Sequence, residues 1–240
     1  MTTAIVSAMH EELAAVLALL PDERKQVAAG REFWVGHLHG EPVVAVLSRI
    51  GKVAAATTAT VLIERFGVQH IIFTGVAGGL APQVQVGQVV VADSFLQHDL
   101  DASPIFPRYE VPLYGISRFA TDRSLSGRLA AAASDALSGV TLHRGLVVSG
   151  DRFVSTSAES RALRLALPDA LAVEMEGAAF AQVCHDYGVP FAAVRTISDR
   201  ADDAAHGDFL RFVREVASRH SAAIVDCFLR SQAAGRSERP

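Results

Sequence analysis

An α/β fold is predicted for this chain, with a mixed β-sheet covered by helices on both faces. Three observations predict it. Short runs rich in Val and Ile alternate with longer amphipathic stretches. Runs such as HIIFTG and GLVVSG are apolar at consecutive positions, which suits a strand whose two faces are both covered. Two of the runs are joined by His39-Gly40-Glu41, a hairpin signal that makes the sheet mixed rather than wholly parallel.

The elements follow in order. Residues 3–7 form a strand, and 11–20 a helix opened by Glu11 and Glu12, acids that favour a helix N-terminus. Strands at 33–38 and 42–48 make the hairpin. A helix over 51–66 leads to strands at 70–74 and 88–92. Residues 101–118 hold three prolines, two tyrosines and Phe106, and read as a long ordered loop of the kind that is often functional. The spacing of Leu125, Leu129, Ala132 and Ala136 predicts a helix over 122–137. Then come strand 142–148, helix 158–167, strand 171–175, helix 176–187, strand 190–197 and helix 208–229. The tail, 231–240, is polar and expected to be mobile. The 240 residues contain no linker, repeat or low-complexity segment, so residues 1–230 are expected to form one domain.

Composition excludes some functions. Half the residues are hydrophobic, enough for a substantial core, and a net charge of −4 offers no basic field for nucleic acid or anionic lipid. No apolar run reaches membrane-spanning length, and the N-terminus lacks a signal-peptide pattern. Cys184 and Cys227 read as reduced thiols of a cytoplasmic protein.

In an open α/β sheet the ligand sits beyond the carboxyl ends of the strands. Five ends deserve inspection: AMHEE, GVAGG, SGDRF, EMEG and ISDRADD. Four carry carboxylates and one carries glycines. Each has a plain structural reading. Glu11 and Glu12 suit a helix start, Asp199 a cap or turn, and Gly75, Gly78 and Gly79 a turn. The glycines do not match a dinucleotide or P-loop fingerprint. Glu174 and Glu176 resist that treatment, because they end an apolar run and buried acids need partners. The histidines, including His98 and His206, show no compact metal-ligand spacing, and Ser149-Gly150 is not a nucleophile elbow. No metal or cofactor is expected.

Taken together, AMHEEL, IGKVAAA, TGVAGGLAP, VSGDRF, AVEMEGAAFAQVC and VRTISDRAD resemble the bacterial 5′-methylthioadenosine/S-adenosylhomocysteine nucleosidases of the nucleoside phosphorylase superfamily. The resemblance spans about residues 3–229. It implies a three-layer α/β/α sandwich around a mixed, partly closed sheet, a homodimer, and hydrolysis of the N-glycosidic bond of an adenine nucleoside. It matches Glu12 to the carboxylate that activates water and Asp199 to the acid that protonates the purine. It matches Glu176 to the ribose-binding acid, Met175 to the residue against the sugar, and Phe153 and Val154 to those flanking adenine. Met9, Ile50, Val76, Ala77, Gly78, Glu174, Ser198 and Phe209 fall among the substrate-binding positions. Ile105, Phe106 and Pro112 match a loop that enters the neighbouring subunit's site.

The implied chemistry needs these residue types. Adenine leaves poorly as an anion, so N7 must be protonated by an acid whose burial keeps its proton near neutral pH. A second carboxylate stabilises the cation-like sugar and handles the water. Three positions depart from the family: Val76 replaces a small hydroxyl residue, Arg49 a glycine and Arg152 a small apolar residue. The two guanidiniums either bind an anionic group of a ligand or, more simply, make surface ion pairs. The alternatives are a purine nucleoside phosphorylase, another purine nucleosidase such as a futalosine-type hydrolase, and a non-catalytic nucleoside-binding protein. AMHEE stands where a phosphorylase carries its phosphate loop, and its charge would repel phosphate.

Overall fold

The structure, a computed structural model, describes residues 1–202 and 209–237. His206, Asp208 (the expected start of the last helix) and residues 238–240 lie outside the described residues. The chain runs β1 (Thr3–Ser7), α1 (His10–Leu17), β2 (Arg24–Ala28), β3 (Arg31–Leu38), β4 (Glu41–Leu47), α2 (Lys52–Phe66), β5 (His70–Gly79), β6 (Val89–Gln97) and β7 (Arg118–Ala120). It continues through α3 (Arg123–Ala136), β8 (Leu142–Ser149), α4 (Ser157–Ala166), β9 (Ala170–Glu174), α5 (Gly177–Tyr187) and β10 (Phe191–Asp199). It ends with α6 (Phe209–Phe212), a π-helical turn (Val213–Ala217) and α7 (Ser218–Ser237).

Among the described residues ten strands form one sheet, ordered β10-β6-β8-β9-β5-β1-β4-β3-β2, with β7 on β6. Because β10 also pairs with β5, the strands β5, β10, β6, β8 and β9 close into a ring, and β1, β4, β3 and β2 extend from it as an open wing. β1 is parallel to β4 and β5, whereas β3 is antiparallel to β2 and β4. The sheet is therefore mixed and partly closed.

Period-two alternation explains the layers. Ala4 and Val6 enter the core shared with Ala55, Ala59 and Leu62 of α2 and Ala178 and Phe180 of α5. Ile5, between them, enters the opposite core with Leu13 of α1, Leu125 and Leu129 of α3, and Phe228 of α7. Both faces are covered, which is why strands such as β5 read as unbroken apolar runs. Gly67 (φ 59°) and Gly188 (φ 64°) end α2 and α5 in the left-handed conformation that glycine adopts without steric cost.

Several elements differ from expectation. The β3–β4 loop has only two residues, His39 (φ 54°) and Gly40 (φ 78°), so Glu41 already belongs to β4. Both φ values are positive, as a tight hairpin that follows strand twist demands. Ala29 (φ 46°) and Gly30 (φ 68°) make a second such turn, joining β2 to β3. β2 is unexpected because RKQVA is exposed at four of five positions and carries no period-two apolar signal. Its pairing to β3 makes it a strand. The last helix is not continuous from 208 to 229 but contains the π-helical turn, and it runs on to Ser237. Residues 231–237, expected as tail, are thus helical; Ala233 and Ala234 are good helix formers.

Candidate active site

The carboxyl ends of β1, β4, β5, β8, β9 and β10 surround a cavity of about 360 Å³. Ala8 and Met9 enter it after β1, and Ile50 after β4. β5 contributes Phe73 and then Gly75, Val76, Ala77 and Gly78. The segment after β8 supplies Arg152, Phe153 and Val154, and β9 with the residues beyond it supplies Val173, Glu174, Met175 and Glu176. Arg195, Ser198 and Asp199 come from β10, and Phe209 from α6. The glycines after Thr74, expected to make a turn, instead continue β5 in extended conformation. Their use is close approach: a Cβ on Gly75 would stand 3.7 Å from both Glu12 carboxylate oxygens, and one on Gly78 only 2.9 Å from Asp199 Oδ1.

Four acids converge here. Glu12 is fully buried in the first turn of α1, and its Oε2 accepts the Met9 amide at 3.3 Å. Its Oε1 is buried with no hydrogen-bond partner. Burial pushes the Glu12 carboxyl up to about 7, against the opposing pull of the Arg195 charge. Glu12 thus stands behind the wall at Gly75 rather than among the lining residues. Glu176, at the N-cap of α5, accepts the Gly51 amide at 2.8 Å. Burial, reinforced by the neighbouring Glu174, pushes Glu176 up to about 8. Asp199 ends β10. Its Oδ2 accepts the Ser198 hydroxyl at 2.7 Å and its Oδ1 the Ala201 amide at 2.7 Å, which together fix the carboxylate plane.

Glu174 differs from the other three. It accepts from the Ser149 hydroxyl, from Glu176 N at 3.2 Å and from Gly177 N at 3.0 and 2.9 Å. It also pairs with Arg195 Nη2 at 2.8 Å, with both side chains almost wholly buried. Its carboxylate is occupied by the protein itself. Among the described residues no cluster of His, Cys, Asp and Glu could hold a metal ion.

Residues 2–230 match the phosphorylase superfamily model. A 5′-methylthioadenosine/S-adenosylhomocysteine nucleosidase of Marinomonas sp. (strain MWYL1) is 37% identical over 227 residues, covering 94% of this chain and 97% of that protein. The chain belongs to this nucleosidase family. A Neisseria meningitidis nucleosidase of the same name, solved in complex with methylthio-immucillin-A, superposes with a TM-score of 0.91 at 35% identity, covering 96% of this chain and 99% of that one. The futalosine hydrolase of Helicobacter pylori strain 26695 also superposes, with a TM-score of 0.89 at 33% identity over 96% of this chain and 97% of that one.

The family's expected site residues fall as follows. Met9, Ile50, Val76, Ala77, Gly78, Phe153, Val154, Glu174, Met175, Glu176, Ser198, Asp199 and Phe209 all line the one cavity. The ring of Phe153, 40% exposed, meets that of Phe209 edge-on at 5.9 Å. Ile105, Phe106 and Pro112 are not among the residues that line this cavity. Of the two departing arginines, Arg152 lies at the cavity rim and forms an ion pair with Glu159. Arg49 faces elsewhere and donates to the Gly30 carbonyl. Sequence reasoning missed Arg195, the largest fully buried side chain. Its signal was available: it is the one charged residue inside the apolar run FAAVRTIS.

Proposed function

We infer that this chain hydrolyses the N-glycosidic bond of 5′-methylthioadenosine, S-adenosylhomocysteine or both, releasing adenine and the thioribose product. One observation carries the reading: Glu176 and Asp199, far apart in sequence, line a single largely apolar cavity of nucleoside size, and the Glu12 carboxylate stands directly behind Gly75 of its wall. Phe153 and Val154 flank the adenine, and Asp199 protonates N7 as the C1′–N9 bond breaks. The departing base is then neutral. Glu176 accepts the ribose 2′- and 3′-hydroxyls, and Met175 lies against the sugar. Glu12 takes a proton from the attacking water, whose oxygen bonds to C1′. A carboxyl held at about 7 is divided between its two forms near neutral pH, which suits an acceptor that must regain and release a proton each cycle. Its buried, unpartnered Oε1 has acceptor capacity to spare.

Water is favoured over phosphate as nucleophile because the cavity's innermost cation, Arg195, is committed to Glu174, and Glu12 would repel an anion. The chain acts as a homodimer in this reading. Ile105, Phe106 and Pro112 cover the 5′ end of the partner's ligand, and the mouth residue Ile50, 58% exposed, awaits such a cover. Among the described residues no helix is long and apolar enough to cross a membrane. Two unpaired cysteines, Cys184 and Cys227, favour a reducing cytoplasm. The test is release of the free purine base from thioether nucleosides, adenosine, inosine and futalosine, with and without phosphate. Strict phosphate dependence would overturn hydrolysis. Asp199→Asn should abolish turnover and leave nucleoside binding measurable; near-normal turnover would remove Asp199 from the acid role.

A further inference from the structure

Helix α2 begins without a side-chain cap. Its N-cap is Gly51, at φ 95°, so the amides of its first turn must find acceptors elsewhere. Two acids from distant segments supply them. Gly51 N donates to Glu176 Oε1 at 2.8 Å, and the next amide, Lys52 N, donates to Asp151 Oδ1 at 2.7 Å. Glu176 is the ribose acid of the proposed reaction, and Asp151 directly precedes Arg152, Phe153 and Val154 of the cavity wall. Two consecutive amides thus bridge the sugar end and the base end of the site. Glycine at position 51 permits the close approach, because a Cβ there would stand 3.1 Å from Asp151 Oδ1.

Asp99, just beyond β6, closes the arrangement. Its Oδ1 accepts the Lys52 ammonium at 2.6 Å and its Oδ2 the Asp151 amide at 2.8 Å. The ammonium also donates to Gln97 Oε1 at 3.0 Å. Gln97 Nε2 in turn donates at 2.8 Å to Gln182 of α5, the helix whose N-cap is Glu176. Burial works against the Asp99 charge, but the Lys52 ammonium and the Asp151 amide hold its carboxyl below the usual range. Lys52, Asp99 and Asp151 are not among the residues that line the cavity. The Lys52 and Asp99 side chains keep 17% and 32% exposure, and an ion pair so placed adds little to stability. Its consequence is positional, since it ties the ends of β4, β6 and β8 at one point.

We propose that Lys52, Asp99 and Asp151 form a clasp that sets the separation between the base-flanking segment and Glu176, with Asp99 as a positioning residue for glycosidic cleavage. The proposal rests on the nucleosidase reading. Adenine alone meets only the base end of the site and can follow it. The intact nucleoside must satisfy both ends at once, with C1′ placed for attack. Both Asp99 oxygens accept, so Asp99→Asn must turn its amide nitrogen toward the Lys52 ammonium or the Asp151 amide, each a donor.

The test compares Asp99→Asn, Lys52→Met, Asp151→Ala and Asp151→Asn with the natural chain. It reads kcat/KM for methylthioadenosine, calorimetric affinity for adenine, and Tm. Asp99→Asn and Lys52→Met should each lower kcat/KM about 30-fold. Adenine affinity should stay within about twofold and Tm within about 4 °C. Asp151→Ala should lose about tenfold, and Asp151→Asn, which keeps an acceptor for Lys52 N, should recover most of it. The Asp151 pair, at an exposed position, carries the test even where Asp99→Asn melts early. The proposal is overturned if Asp99→Asn keeps kcat/KM within about twofold, if adenine affinity falls in step with kcat/KM, or if Asp151→Asn is as impaired as Asp151→Ala. A natural chain that fails to bind adenine or to release it brings down the nucleosidase reading, and the clasp's role with it.

Discussion

Replacing Arg195 by methionine tests the electrostatic centre of the site. Arg195 is 1% exposed; its Nη2 lies 2.8 Å from Glu174 and its Nη1 3.0 Å from the Phe73 carbonyl, with Cζ 4.0 Å above the Phe73 ring. Methionine keeps much of the packing against Phe73 and removes the charge. Glu174 would retain the Ser149 hydroxyl and the amides of Glu176 and Gly177, but it would remain a buried anion without its cation. Removing one member of a buried pair costs about 3–5 kcal/mol. The three retained donors place the expected loss near the lower end, about 3 kcal/mol, or roughly 6–12 °C in Tm for a chain of this length. A second effect follows from Glu12, whose carboxyl Arg195 pulls down toward about 7. Without that pull the carboxyl rises further, so less than half of it is ionised at neutral pH. The acidic limb of kcat/KM for adenine release should therefore move to higher pH. Arg195→Lys keeps the charge but not the fork, and should lower Tm while leaving the limb in place. Thermal melts followed by circular dichroism and a pH–rate profile measure both. If Arg195→Met melts within about 2 °C of the natural chain, or if its acidic limb stays put, the reasoning is wrong.

Gly78→Ala should leave the fold intact and cut turnover about 100-fold, because its Cβ would stand 2.9 Å from Asp199 Oδ1 and 3.0 Å from the Ala201 Cβ; steady-state kinetics against the melting curve separates the two effects. Glu12 binds its proton more tightly folded than unfolded, so its contribution to stability is complete below about pH 4.5 and disappears as pH rises through about 7. That rise is worth about 3 kcal/mol, and urea unfolding from about pH 5 to about pH 8 should show Glu12→Gln flattening this part of the decline. Gly177→Ala would drive a methyl group into the Phe95 ring and should cost at least about 1–3 kcal/mol, read as a lower urea midpoint.

The layers were legible in the sequence because strand and helix periods differ, and the buried strands announced themselves as runs of Val and Ile. β1 was read to the residue. What stayed hidden depends on partners distant in sequence. Nothing local marks RKQVA as a strand until β3 lies beside it, nor RFA as β7 until it meets β6. The reach of β5 through Gly79 was masked by glycines that read as a turn; pairing to β9 and β10 holds them extended. Motifs at strand ends located the cavity, since strand order brings those ends together. They did not reveal that Glu174 is consumed by Arg195, Ser149 and the start of α5, or that Arg49 turns away from Ile50's cavity, because side-chain direction is set by tertiary contacts.

The closed ring also bears on how the chain behaves in a crowd. A strand whose backbone is paired on both sides offers nothing to a passing molecule, and the ring leaves few strands unpaired along one flank. What remains open is guarded: β2, at the end of the wing, presents Arg24 and Lys25, and β7 is only three residues long. Charge on one border and brevity on the other deny stray polypeptide a template along a sheet of ten strands.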